Sequence, residues 1–125
     1  MLNTDSTKPI YLQIAEWIES EILIGNFQED DKVYSQYQLA EMYTINPATA
    51  AKGLNLLVDE KILYKKRGLG LFVSSTGKEI IINKRKNFTL KGLVRELVIE
   101  AKQLQLSEKE LMMMIKELYE EEDKQ

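Results

Sequence analysis

The stretch from Ser35 to Val73 decides the fold and reads SQYQLAEMYTINPATAAKGLNLLVDEKILYKKRGLGLFV. Ser35, with Gln38 three residues later, is a capping-box pattern, which predicts a helix that begins just after Ser35. Asn46-Pro47 predicts a second helix start, because asparagine caps well and proline suits the first helical position. The segment Leu63–Val73 predicts two short strands around a glycine-containing turn. This order of helix, turn, helix and β-hairpin indicates a protein that places a helix in a groove of DNA.

Outside this stretch, the spacing of apolar residues predicts further helices. We expect the first from Pro9 to Ile24, another from Thr89 to about Gln105, and a last one after the capping box that Ser107 forms with Glu110. The helix that begins at Pro47 should end near Asp59. The predicted fold class is therefore α+β, mainly α.

Three shorter segments are harder to assign from their composition. Asp31–Tyr34 is expected to be extended and able to pair with the hairpin as a small third strand. Ser74–Gly77 is small and polar, which is typical of a hinge. Lys78–Lys86 has three consecutive isoleucines between basic flanks, so it is expected to be either a strand or an ordered linker.

The charge of the chain is unevenly distributed. The net charge is −3, yet nine basic residues and one acidic residue, Glu79, lie between Lys61 and Lys91. This segment therefore carries +8 and the rest of the chain −11. Charge runs are often only solvated surface, but this one lies on and after the predicted hairpin, where it favours contact with a polyanion.

The composition disfavours several other classes of protein. No histidine or cysteine is present, so the commonest general base, the commonest metal ligand and all thiolate chemistry are absent. We expect no enzymatic activity, no cofactor and no metal site. No apolar run has the length of a membrane span, the N-terminus lacks the features of a signal peptide, and the lack of cysteine fits a cytoplasmic protein.

The predicted DNA-contacting surface consists of the helix starts, the exposed side of the helix after Pro47, and the hairpin turn. Thr49 and Lys52 can reach base edges or phosphates, although both could simply solvate an exposed face. Ser35 suits a phosphate at a helix N-terminus or only caps its helix, and Tyr37 either donates to a phosphate or is half-buried. The candidate residues are Ser35, Gln36, Tyr37, Asn46, Pro47, Ala48, Thr49, Lys52, Lys65, Lys66, Arg67, Gly68 and Gly70.

The two C-terminal helices carry apolar stripes that such a small hairpin cannot bury by itself. The stripes must pack on the first domain or on a second copy, and we favour a second copy because two hairpins form a four-helix bundle. A methionine-rich pocket for a small molecule at Met112–Met114 is the less favoured interpretation of that segment. The expected dimerisation residues are Leu93, Val94, Leu97, Val98, Leu104, Leu111, Ile115 and Leu118.

Short motifs recur in a fixed order over nearly all of the first 74 residues. They are Pro9–Ala15, Ile22–Phe27, Tyr34–Ser35, Gln38–Ala40, Asn46–Thr49, Leu57 and Gly68–Val73. On these residues the chain resembles the GntR family of bacterial winged-helix transcription regulators, and its short tail is similar to that of the YtrA-type branch. Where the family commonly has Leu-Pro-Ser-Glu-Arg, this chain keeps only the serine, Ser35, and Tyr37 stands where a DNA-contacting arginine is usual.

The resemblance implies a winged helix-turn-helix DNA-binding domain over residues 1–76, followed by a short helical dimerisation or effector domain, a two-helix hairpin, over residues 77–125. The leading hypothesis is a homodimeric repressor on a pseudo-palindromic double-stranded DNA operator, and the resemblance implies transporter genes as targets. The alternative is a winged-helix protein–protein interaction module without sequence-specific DNA binding. The alanine-rich third helix and the overall acidity favour that alternative. We expect no membrane partner, and whether a small-molecule effector exists is left open.

Overall fold

The two helices of the helix-turn-helix begin at Ser35 and Asn46, whose side chains accept hydrogen bonds from free backbone amides. The computed structural model describes residues 2–124, and Met1 and Gln125, the outer ends of the two expected domains, lie outside them. Its elements in chain order are α1 (Ile10–Leu23), α2 (Gln36–Tyr43), α3 (Pro47–Asp59), β1 (Leu63–Lys66), β2 (Gly70–Val73), α4 (Gly77–Lys84), a π-helical segment (Arg85–Leu90), α5 (Lys91–Gln103) and α6 (Glu108–Asp123). The mainly helical fold class with a two-stranded hairpin is confirmed.

Both predicted helix starts in the decisive stretch are confirmed. The backbone N–H of Gln38 donates to Ser35 Oγ at 3.1 Å, and the N–H of Ser35 donates to Gln38 Oε1 at 2.8 Å. Helix α2 ends at Tyr43, and the next residue, Thr44, adopts a left-handed conformation with φ of 53°. Asn46 Oδ1 then accepts from the N–H of Ala48 at 2.8 Å, so α3 starts at Pro47 as expected.

Helices α1, α2 and α3 enclose one apolar core with the hairpin. Ile14, Ile18, Leu39 and Leu57 are essentially inaccessible to solvent, and Ile62 closes the core where α3 leads into β1. Burial of such side chains contributes about 1.5–3 kcal/mol each, which makes this core the main source of stability in the first part of the chain.

A glycine allows α1 and α3 to pack with their backbones in close approach. A Cβ atom added to Gly53 of α3 would lie 2.6 Å from the carbonyl oxygen of Tyr11 and 3.2 Å from a methyl carbon of Ile14. Real Cβ atoms do not come this close to a backbone atom. A side chain at position 53 would therefore push the two helices apart.

The hairpin pairs β1 and β2 in antiparallel register, from Leu63 opposite Val73 to Lys66 opposite Gly70. Lys32 forms an isolated bridge to Phe72, and the N–H of Val33 donates to the carbonyl oxygen of Leu71 at 2.9 Å. The expected pairing of residues 31–34 with the hairpin is confirmed, although it amounts to a bridge rather than a full strand.

The prediction for residues 78–86 was wrong, because α4 occupies residues 77–84. Isoleucine favours strands in isolation, but tertiary packing overrides this preference: Ile81 is fully buried in the core, and α4 packs on α1. Gly77 does not act as a free hinge. It is buried, and a Cβ there would lie 2.7 Å from the carbonyl oxygen of Ile62.

An ion-pair cluster fixes the end of α4. The ammonium of Lys84 donates to Glu19 of α1, which is 2% exposed, and to Glu60 at the end of α3 at 2.8 Å. Burial alone would lower the pKa of Lys84, but the hydrogen bonds to Glu19 and Glu60 more than offset this effect and raise it above its ordinary value. The cluster thus ties three helices together.

The chain divides into two compact units between Lys84 and Arg85. From the sequence we expected the boundary between residues 76 and 77. The first unit extends to Lys84 because α4 belongs to its core through Ile81.

In the second unit, α5 and α6 are joined by a tight turn in which Gln105 has a φ of 58°. The capping box predicted at Ser107 is confirmed: Ser107 Oγ accepts from the N–H of Glu110 at 3.1 Å. Helix α6 continues to Asp123, so the acidic residues from Glu120 onward are helical to that point. Beyond the turn the two helices do not pack along their lengths, and Ala101 is the buried apolar residue among those described in this unit.

We predict that Gly53→Ala destabilises the protein by about 1–3 kcal/mol, because the new methyl group overpacks the contact between α1 and α3. Gly92→Ala is the matched control. Nothing lies within 4 Å of a Cβ at Gly92, which is inside α5, so alanine there should stabilise by about 0.5–1 kcal/mol. Urea unfolding of both variants measures the difference. Equal stability of the two variants would show that the close approach at Gly53 is not needed.

We predict that Lys84→Met lowers the free energy of unfolding by about 1–3 kcal/mol, since the carboxylate of buried Glu19 loses a charged donor. Because the pKa of Lys84 is raised, its contribution is present at neutral pH and is lost as the pH rises above 10.5 and through the raised value. Lys78→Met, at an exposed position on the same helix, should have little effect. Denaturant titrations at pH 7 and pH 11 would contradict the role of Lys84 if the two variants behaved alike.

Candidate nucleic-acid interface

The outer side of α3 forms the floor of an open groove that α1 and α2 border. The groove has a volume of about 570 Å³ and is lined by Tyr11, Gln36, Ala48, Ala51, Lys52, Asn55, Leu56 and Asp59. The floor lies close to the α3 backbone at Ala48 and Ala51, because alanine side chains are short. Three of the predicted contact residues, Gln36, Ala48 and Lys52, are thus brought together from two helices.

The other predicted residues near the helix starts lie around this groove rather than in it. Asn46 is exposed and Ser35 is half-buried, and their side-chain oxygens both cap helices. Thr49 and Pro47 are half-buried. Tyr37 is 70% exposed, so the half-buried alternative for this aromatic is wrong.

Lys52 has a defined neighbour. Its Nζ atom lies 4.1 Å from the centroid of the Tyr11 ring, which is a cation–π contact. The exposed ammonium therefore combines a fixed location in the groove with access to solvent.

The hairpin turn, here called the wing, comprises residues 66–70. The N–H of Leu69 donates to the carbonyl oxygen of Lys66 at 2.9 Å, while Gly68 and Gly70 adopt φ values of 78° and 121°. A residue with a side chain would be strained at these φ values, which explains why glycine occupies both positions. Arg67 is exposed at the turn, so the wing presents a cation beside accessible backbone.

An aromatic pair supports one basic residue of the wing. Tyr64 and Phe72 stack across the two strands with ring centroids 5.8 Å apart, and Lys66 Nζ lies 4.6 Å from the Phe72 centroid. Lys65, on the same strand, is exposed. The Tyr64 hydroxyl donates to Asp30 Oδ1 at 2.6 Å, and this hydrogen bond raises the pKa of Tyr64 because it stabilises the protonated phenol.

Sequence reasoning missed two residues of this surface. Tyr11 was noted only as part of a family motif, since an aromatic residue beside an apolar helix stripe looks like core. Lys32 lies outside the basic run, yet a Cβ at Gly70 would come within 2.9 Å of its Cε atom, so Lys32 adds a cation next to the wing. The predicted pairing of residues 31–34 with the hairpin was the signal that could have revealed Lys32.

Comparisons with known proteins agree with this architecture, although no protein-family model matches the sequence. The chain is 35% identical over 88 residues to the transcriptional repressor NagR of Bacillus subtilis, covering 70% of this chain and 36% of NagR. It is 30% identical over 96 residues to the repressor YtrA of the same organism, covering 77% of this chain and 73% of YtrA. The chain belongs to the GntR family. It therefore belongs to a family of transcription regulators rather than of enzymes.

Solved structures extend the agreement to the fold. A GntR-family regulator from Bacteroides thetaiotaomicron superimposes with a TM-score of 0.76 at 33% identity, covering 90% of this chain and 98% of that one. The DNA-binding domain of AraR, solved in complex with its operator ORE1, matches with a TM-score of 0.53 at 30% identity, covering 59% of this chain and 90% of that one. This GntR-family chain has no helix among residues 2–124 that is both long and apolar enough to cross a membrane.

Proposed function

We propose that this GntR-family protein is a homodimeric, cytoplasmic repressor that binds a pseudo-palindromic operator in double-stranded DNA. The observation that carries the proposal is the groove on α3, where Gln36 and Lys52 flank a floor of alanines. A base edge or phosphate can approach the α3 backbone closely at Ala48 and Ala51, because their side chains are short. Gln36 supplies an amide and Lys52 a cation for hydrogen bonds to base edges or phosphates.

The wing supplies the second contact in this proposal. Lys66 and Arg67 of the wing, together with Lys65 just before it, neutralise phosphates, and Gly68 and Gly70 let the backbone approach the minor groove. Support comes from AraR, a structural neighbour whose DNA-binding domain was solved on operator DNA. Control of transporter genes is part of the proposal and rests on the similarity to the YtrA-type branch alone.

The second unit supplies the dimer interface in this proposal. The apolar residues of α5 and α6 remain exposed in the single chain: Leu97 is 41%, Leu93 56% and Leu118 57% accessible. Exposed apolar patches of this kind mark interaction surfaces. A second copy is the favoured partner, since two copies bury equivalent stripes in a bundle and present two α3 helices to the two halves of an operator.

The DNA-binding proposal predicts a strong dependence of affinity on salt and on Lys52. An operator is first selected from random DNA, and affinity is then measured by fluorescence anisotropy at 50 and 200 mM salt. We expect a loss of about 10²-fold or more over this range, because several phosphate contacts release counterions. Lys52→Glu should nearly abolish specific binding, since it reverses the charge in the groove.

Lys124→Glu, at an exposed position just after α6, is the control with the same change in net charge. It should bind the operator as the wild type does. Salt-independent binding, or equal affinities of the two variants, would count against a DNA contact by α3. A wild-type chain that selects no sequence and remains monomeric would instead support a protein–protein interaction module.

The dimer proposal predicts that Leu97→Asp converts the protein to a monomer at micromolar concentration, because it places an unpaired charge in the apolar seam. Operator affinity should fall with it, since each half-site is then bound separately. Ile99→Asp is the matched control: Ile99 is 52% exposed on the same helix but lies on the face opposite the stripe. Sedimentation velocity distinguishes the variants, and a Leu97→Asp dimer would place the interface elsewhere.

A further inference from the structure

We propose that Tyr11 is a positioning residue that holds the Lys52 ammonium in place for DNA recognition. The proposal rests on the function proposed above and assigns a role to α1, which carries none of the predicted DNA-contacting residues. It links three observations in the first unit: the cation–π contact, the close approach at Gly53, and the shared groove.

The position of Tyr11 follows from the backbone packing. Gly53 lets the Tyr11 carbonyl lie directly against α3, and Lys52 is the residue before Gly53. The Tyr11 ring consequently lies beside the Lys52 side chain. Tyr11 is half-buried, which limits the positions open to its side chain.

The ring also restricts Lys52. A lysine on a helix surface normally samples many rotamers, and binding must order it at an entropic cost. Here the ammonium lies 4.1 Å from the ring centroid, where the negative face of the aromatic ring attracts it. Among residues 2–124 no carboxylate forms an ion pair with Lys52, so its charge remains available to an anionic partner.

The groove shows where this restricted charge is presented. Tyr11 and Lys52 line it together with Gln36 and Ala51, and short alanine side chains keep the space above the α3 backbone open. The ammonium of Lys52, held against the Tyr11 ring, can contact a phosphate or a guanine edge in the position that it has in the free protein. Tyr11 therefore acts through Lys52 and prepares the binding geometry in advance.

The first test compares Tyr11→Phe with Tyr11→Leu in operator binding. Phenylalanine keeps the aromatic face, so affinity should stay near that of the wild type, whereas leucine removes it and should weaken binding about two- to fivefold. Thermal unfolding of each variant checks that the fold is retained. Equal affinity of Tyr11→Leu and the wild type, or tighter binding by Tyr11→Leu, overturns the proposal.

A double-mutant cycle separates positioning from direct contact. In a Lys52→Met background, Tyr11→Leu should cause no further loss, because the residue on which Tyr11 acts is gone. A loss that is the same in both backgrounds overturns the proposal and indicates that Tyr11 acts independently of Lys52. An equal loss in Tyr11→Phe and Tyr11→Leu also overturns it, since the hydroxyl would then be the functional group.

A measurement on the unmodified protein does not depend on any variant folding. The ε-methylene protons of Lys52 should be shifted upfield in the NMR spectrum by the ring of Tyr11, and the shift should persist when operator DNA is added. Loss of the shift on binding overturns the proposal, because Lys52 would then leave the ring to reach DNA. A wild-type protein that binds no operator overturns the proposed function itself, whereas normal binding with an unaffected Tyr11→Leu variant overturns only this inference.

Discussion

The close packing of α1 against α3 at Gly53 is the constraint on which the rest of the first unit depends. A single missing Cβ lets the carbonyl of Tyr11 lie against α3, and the isoleucines of α1 then reach the core that α2 and the hairpin complete. The same contact sets the position of Tyr11 relative to Lys52. Stability and the geometry of the candidate interface therefore arise from one backbone approach, and a change at this point affects both.

The second constraint is electrostatic and lies at the C-terminal end of α3. Lys84 joins the end of α4 to Glu19 on α1 and to Glu60 just after α3. A carboxylate as buried as that of Glu19 is costly without charged or polar partners, so the cluster favours one arrangement of these three helices. Helix α4 thereby becomes part of the first unit, although its composition resembles that of a strand or linker.

The second unit has the opposite character. Helix α6 begins with a complete capping box and α5 continues from the π-helical segment without a side-chain cap, yet nearly all their large apolar side chains are exposed in the single chain. Helical periodicity and caps are local properties, and they form without a core. The cost of exposing so much apolar surface explains why the proposed function assigns this unit to an interface between copies.

The sequence by itself determined four features that rest on local chemistry: the caps at Ser35, Asn46 and Ser107, and the glycine turn of the hairpin. These depend on hydrogen bonds and backbone conformations within a few residues, which the chain order already specifies. Only the tertiary structure decided that the isoleucines after Gly77 form a helix, that Tyr11 lies over Lys52, and that Lys32 lies beside Gly70. Each of these depends on contacts between residues distant in sequence, where burial and close approach outweigh local preference.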